Sequence, residues 1–177
     1  VVRIGGDFLW EEFEERVKQP ILLSEFYNEK RDYSLKEKCI FVLTKYFLNK
    51  ASGIVFSTLW QKNIFQKAYN LNKSKIYIIE NIYPKNNQRN VIPKDRILLS
   101  PARDRFLKNK IVLNESFDIL KERFNHITLD TEVSDRESLL NRMMESYCLI
   151  VPSLSEVSPN IVMDSISMGI PAVVTSD

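Results

Sequence analysis

The stretch from Cys148 to Ser176 reads CLIVPSLSEVSPNIVMDSISMGIPAVVTS, and its punctuation decides the fold. CLIVPS is a short apolar run ended by a proline, the mark of a strand buried on both faces. Ser158 followed by Pro159 reads as a helix N-cap with proline in the first helical position. Gly169, just past the periodic residues, is the matching stop, so a helix is expected from Pro159 to Met168. PAVVTS then reads as a second apolar strand. Strand, loop, helix and strand in this order predict parallel pairing, because a crossover helix returns the chain to the same edge.

The same alternation runs through the rest of the chain. VVRI leads into Gly5-Gly6-Asp7, a turn whose glycines let the backbone approach a neighbour closely. From Tyr33 to Asn49, Leu35, Cys39, Val42, Leu43, Tyr46 and Phe47 recur at helical spacing, with lysines opposite, and this helix is expected to cover the sheet with them. Ile54-Val55-Phe56 reads as a buried strand, and Thr58 with Gln61 as a capping box for the next helix. KIYIIEN is a further strand. The polar, proline-bearing YPKNNQRNVIP then breaks the pattern. Beyond it come the strand RILLS, a helix from Ile111 to Phe124 with Val112, Phe117 and Leu120 on its apolar side, and the strand HITLD. Ser134 and Glu137 are placed to cap a helix running to Ser146. The fold class expected is α/β, with two incomplete Rossmann-like parallel-sheet units. They span 1–84 and 96–177, joined by a linker over 85–95.

Totals narrow the function classes. Of 177 residues, 44% are hydrophobic and 27% charged, enough apolar material for a substantial core. With 25 basic and 23 acidic side chains the net charge is only +2, which argues against a nucleic-acid binder. No apolar run approaches the roughly 20 residues that span a bilayer. The opening, with Arg3, Asp7 and the acids between Glu11 and Glu15, does not read as a secretory leader. Cys39 and Cys148 lie far apart in apolar stretches and read as buried free thiols, consistent with a cytosolic protein. One histidine, His126, makes a zinc site or a triad hard to assemble, and it reads as structural. Both ends are abrupt, so the residues are expected to be the middle of a longer protein.

Within 148–176 only Glu156 and Asp164 are charged. The helix opening near Ser158, Pro159, Asn160 and Ile161 lies at the C-terminal edge of the strand before it, where open parallel sheets bind ligands. Backbone N–H groups and the positive end of the helix dipole suit a phosphate or a sugar hydroxyl there. Carboxylates accept hydrogen bonds from paired hydroxyl donors, as polyols supply. The alternative is structural: Glu156 as a dipole or capping contact, Asp164 as a solvated helix residue.

SEVSPNIVMDSISMGIPAVVTSD resembles the donor-binding segment of GT-B glycosyltransferases, in particular the retaining family 4. That segment has two acids separated by seven residues, a small-residue helix, Gly-x-Pro and an apolar strand. Here the acids are Glu156 and Asp164, and the following pair is Gly169 and Pro171. LLSPARDRFLKNK is similar to the family's strand, glycine, arginine and lysine, which implies that Arg103 and Lys108 hold the donor diphosphate. RIGGDFLWEEF and the run from Ala51 to Pro84 look like part of the acceptor-domain half of bacterial members. Asp164 stands where the family has a second glutamate, and Ala102 where it has glycine. A turn, helix and strand that the family places between HITLD and EVSDRESLL are absent.

The resemblance implies transfer of a hexose from a nucleotide-diphosphate sugar to a sugar or lipid-linked acceptor with retained configuration. The donor is expected in a cleft between the units. The implied location is cytoplasmic, at or away from the inner membrane face. The site residues implied are Glu156, orienting the sugar, and Asp164, gripping the ribose. Arg103, Lys108 and the Ser158, Pro159, Asn160 and Ile161 turn are implied at the diphosphate. Fixed cations stabilise the charge that a leaving diphosphate gains, so no metal and no other cofactor is expected. Asp7 either touches acceptor or sugar, or caps the helix ahead of Glu11, and Trp10 is either core or a stacking platform. The rival reading is a degenerate, non-catalytic module that binds a nucleotide or a partner. A sugar-nucleotide epimerase is the other, though the acid/base side chains it needs are not evident.

Overall fold

A computed structural model describes residues 1–82, 91–157 and 159–175. They form two compact units, one built on Val1–Ile82 with 155–157 and the other on 91–154 with 159–175. Ser158 and residues 85–90 of the expected linker lie outside the described residues.

In the first unit the order is β1 (Val2–Ile4), α1 (Phe8–Val17), α2 (Leu23–Phe26), α3 (Leu35–Lys50), β2 (Ile54–Phe56), α4 (Leu59–Tyr69) and β3 (Ile76–Ile78). The strands pair in parallel in the order β1-β2-β3, with Val2 beside Ile54 and Ile54 beside Ile76. β2 is central and buried throughout, which is why IVF carries no polar residue. Leu48, Ile54, Phe56, Phe65, Tyr69 and Leu71 form the core. Thr58 caps α4 by accepting from the Gln61 N–H at 3.1 Å. The reciprocal arm of the expected box is not made. The Gln61 side chain is fully buried, and neither its oxygen nor its nitrogen has a hydrogen-bond partner among the described residues.

α3 departs from expectation in rotation. Leu35, Val42, Leu43, Tyr46 and Phe47 face outward, and so does Cys39, which was expected to be buried. Leu48 is the buried apolar residue, with Phe41 packed against the core. The reason is at the helix start. Ser34 and Glu37 form a capping box, and Glu37 also takes two hydrogen bonds from Arg16, at 2.7 and 2.9 Å. With Glu37 satisfied inside, Phe41 and Leu48 lie on the same side of the helix and become the inward stripe. Apolar residues occupy more than half of this helix, so periodicity alone could not choose the face.

The second unit runs β4 (Arg96–Leu99), α5 (Lys110–Arg123), β5 (Ile127–Asp130), α6 (Arg136–Glu145), β6 (Cys148–Val151), α7 (Asn160–Ser167) and β7 (Ala172–Val174). All pairs are parallel, in the order β5-β4-β6-β7. Leu99, Met143, Leu149, Val162, Met168 and Ile170 form its core. On α5 the buried residue is Leu113, whereas Val112 is exposed. α6 is capped by Asp135, one residue after the expected Ser134; the Asp135 carboxylate accepts from the N–H groups of Glu137 and Ser138. Ser134 instead accepts from Arg142 through its hydroxyl.

α7 ends as its sequence requires. Gly169 sits at φ +70°, the Ile170 N–H donates to Ser165 O at 2.9 Å, and the Gly169 N–H donates to Ile166 O at 3.0 Å. These two bonds are the Schellman pair that closes a helix on a left-handed residue. The start of α7 is shifted by one residue. Pro159, with ψ 92°, occupies the capping position, and its carbonyl accepts from Val162 and Met163.

Candidate functional site

β4 and β6 are neighbours and parallel, so the loops that follow them leave the same edge of the sheet. The loop after β4 carries Arg103 and Lys108, and the loop after β6 leads through Glu156 to α7. The two loops are tied directly: the Leu154 N–H donates to Leu107 O at 2.9 Å. Leu107 is buried in a 3-10 turn, Phe106–Lys108, which the sequence reading did not foresee. Lys108 closes that turn through its N–H to Arg105 O at 3.0 Å and is half-buried. Arg103 is exposed, and its carbonyl accepts from the Arg105 N–H. Thr175, after β7, adds a third loop to this edge by donating its hydroxyl to Ser153 O.

At the α7 side, Pro159 caps the helix while Asn160 and Ile161 open it, Asn160 being exposed. By helical geometry the first N–H groups have no intrahelical acceptor. Glu156 lies between β6 and α7 and is half-buried. Asp164 lies one turn into the helix and is 3% exposed. It is not solvated. Arg136 Nη1 donates to its Oδ2 at 3.0 Å and Nη2 to its Oδ1 at 2.9 Å. Arg136 is the first residue of α6, which follows β5, so the pair joins the starts of two helices of one sheet. Bidentate pairing of this kind fixes both orientation and charge.

Two residues here escaped the sequence reading. Arg136 had no signal, since its partner is 28 residues away and no periodic pattern links them. Ser100 directly follows β4, is 1% exposed, and has a buried hydroxyl with no hydrogen-bond partner among the described residues. Buried hydroxyls are normally satisfied by protein or water, so this one marks a place where a polar group is wanted.

Asp7 is in the other unit and is 2% exposed. Its carboxylate accepts from the Trp10 N–H at 3.0 Å and from the Tyr27 hydroxyl at 2.7 Å, and Tyr27 and Tyr69 share a hydrogen bond of 2.8 Å. Burial pushes the Asp7 carboxyl above its ordinary range, against the pull of those hydrogen bonds. Asp7 thus caps the start of α1. Trp10 is core, with its indole N–H donated to Ile21 O at 2.8 Å. His126 is exposed, just ahead of β5. Among the described residues no cluster of three or more His, Cys, Asp or Glu is placed to hold a metal, and no helix is long and apolar enough to cross a membrane.

No protein-family profile matches the sequence, and no curated protein matches it significantly. Solved structures do match. WaaG, titled a glycosyltransferase involved in lipopolysaccharide biosynthesis, superposes with a TM-score of 0.61 at 14% identity, over 86% of this chain and 54% of that one. A mutant of S. aureus TarM, in complex with Fondaparinux, alpha-GlcNAc-glycerol and UDP, gives 0.60 at 15% identity, over 82% and 34%. A glycosyltransferase from Rickettsia africae gives 0.55 at 16%, over 83% and 49%. The chain therefore spans between about a third and about half the length of these structures. At such identities the likeness speaks for architecture: two parallel-sheet α/β units in the fold of the GT-B glycosyltransferases.

Proposed function

We propose that this chain is the part of a GT-B glycosyltransferase that binds a nucleotide-diphosphate sugar. On this reading it moves a hexose, with retention, to a sugar or lipid-linked acceptor on the cytoplasmic side. One observation carries the reading. The loop with Arg103 and Lys108 is hydrogen-bonded to the loop that leads to α7, at the C-terminal edge of adjacent parallel strands. That edge is where open α/β sheets bind ligands.

In the proposed reaction the bond from the anomeric carbon to the donor's nucleoside diphosphate breaks, an acceptor hydroxyl oxygen bonds to that carbon and gives up its proton, and the nucleoside diphosphate leaves with its charge increased. Arg103 and Lys108 neutralise that charge, and the N–H groups opening α7 near Asn160 and Ile161 support the phosphate oxygens. Ser158 belongs to this turn by sequence. Ser100, with its unsatisfied hydroxyl, offers one more donor at the same edge. Glu156 orients the hydroxyls of the donor sugar. Asp164 meets the ribose through the acceptor capacity left on oxygens already bound by Arg136, or through Arg136 itself. Asp7 holds the β1–α1 turn. No metal takes part, since the cations do its work.

The second reading, a module that binds a nucleotide without turnover, is favoured by Asp164. A carboxylate buried and chelated by Arg136 is poorly placed to exchange partners for ribose hydroxyls. Incubation with a panel of nucleotide-diphosphate sugars and sugar acceptors, with nucleoside-diphosphate release and calorimetric binding followed in parallel, separates the readings. Release of the nucleoside diphosphate together with a glycosylated acceptor supports the transferase. Binding without release supports the module, and an absence of binding contradicts both.

A further inference from the structure

Asp164 enters the second unit as one half of a closed pair. Each of its oxygens takes a hydrogen bond from Arg136, at 3.0 and 2.9 Å, and its side chain is 4% exposed. The arginine is braced from its own side as well. It opens α6, whose start is capped by the Asp135 carboxylate. The loop that leads there from β5 is clamped by Arg142, which donates to both oxygens of Asp130, to Glu132 O at 3.0 Å and to the Ser134 hydroxyl at 3.1 Å. Neither helix start shifts without breaking other contacts.

An acidic side chain reads a ribose by accepting from its hydroxyls, and a site built that way rejects sugars that lack one. For Asp164 to do so, Arg136 must swing aside. That exchanges two ion-pair hydrogen bonds for hydroxyl–carboxylate ones and leaves a buried negative charge without its countercharge, which is strongly unfavourable. The half of the pair that a ligand can reach is the arginine, whose side chain is 60% exposed and offers only donors. Donors meet any sugar or base oxygen, the ring oxygen and the 3′-hydroxyl included, and do not require the proton of a 2′-hydroxyl. We infer that the donor site does not read the 2′-hydroxyl of its nucleotide, so that 2′-deoxyribonucleoside diphosphates, and sugars carried on them, are accepted as readily as the ribonucleotides. Arg136 sets this specificity by keeping Asp164 from the ribose. The inference rests on the donor-site reading above and names the nucleotides that site takes. Of the two routes to the ribose, it selects Arg136.

The test is calorimetry of the full protein with matched pairs: UDP and dUDP, GDP and dGDP, ADP and dADP, CDP and dCDP. Within a pair that binds, the two affinities are expected to agree within about threefold. Arg136→Ala frees the carboxylate and should create a preference, with the ribonucleotide binding about tenfold tighter than its deoxy partner. Asp164→Asn should change both affinities by the same factor. Melting curves check that both variants fold. The wild-type comparison and Asp164→Asn carry the test should Arg136→Ala fail to fold. A preference of about tenfold or more for the ribonucleotide in the unaltered protein would overturn the inference. So would a loss confined to the ribonucleotide in Asp164→Asn, or a folded Arg136→Ala that still binds the two alike. Each of those results leaves diphosphate binding, and with it the donor-site reading, in place. An absence of binding to every pair overturns both.

Discussion

Arg136 grips Asp164 with both terminal nitrogens, at 3.0 and 2.9 Å, and does so unequally: the Asp164 side chain is 4% exposed and that of Arg136 60%. The inequality makes the pair asymmetric. Removing the arginine strips a buried carboxylate of its guanidinium, while removing the charge of the aspartate lets the arginine turn to water. Arg136→Met should therefore destabilise by about 1–3 kcal/mol, and Asp164→Asn by less, because solvent screens the outer half of the pair. Urea unfolding of the two variants checks the order; an equal or reversed ranking would show that other contacts hold Asp164.

Ser100 gives a test in which affinity and stability move apart. Its hydroxyl is buried without a partner among the described residues, so Ser100→Ala should leave unfolding free energy unchanged or raise it by up to about 1 kcal/mol. If the hydroxyl meets the donor, the same variant weakens nucleoside-diphosphate binding by roughly threefold or more. A stability loss above about 2 kcal/mol would mean that the hydroxyl is satisfied inside the protein after all.

The closure of α7 depends on one residue. A Cβ at Gly169 would meet nothing within 4 Å, so the penalty of Gly169→Ala comes from φ +70° alone. About 1 kcal/mol of stability should be lost, read by thermal melting. No loss would indicate that the helix end rearranges freely.

Stability should fall as pH rises through the weakly acidic range. Glu14 is fully buried, one of its oxygens has no partner among the described residues, and burial pushes its carboxyl up to about 7 from 4.5. Below about pH 4.5 the group is protonated in both states and contributes no difference. Between that value and about 7 the unfolded chain ionises while the folded one stays protonated, so folding is progressively disfavoured, by on the order of 3 kcal/mol in all. Glu14→Gln keeps an acceptor for the Ile21 N–H and should flatten that decline. Melting curves from pH 4.5 to 8 decide the point, and an equally steep decline in the variant would assign it to another group, such as Asp7.

Much of the architecture was legible because its strands are short, apolar and punctuated. Ile54-Val55-Phe56 and CLIVPS could only be central strands, and Gly169 could only end a helix. What failed was choice of face. The outward ridge of α3 was expected inside, since nothing local tells Val42 and Tyr46 from Phe41 and Leu48; Glu37, anchored by Arg16 from another helix, makes that choice. Helix starts slipped by one residue at Asp135 and Pro159, where two adjacent residues could both cap. At the candidate site the acid pair stood out as the only charges between Cys148 and Ser176, and the cations only through the family resemblance. Arg136 and Ser100 were not, because their significance lies in a long-range partner and in a missing one.

Binding of nucleoside diphosphates to the full protein and to Arg103→Ala and Lys108→Ala is the most direct measurement. Calorimetry across the common bases should find at least one ligand, with affinity reduced about tenfold or more in each variant, as loss of a charge-assisted phosphate contact requires. Tight binding that both substitutions leave within threefold of the starting affinity would contradict the assignment of the β4–β6 edge as the diphosphate site, and so would a lack of binding to every base.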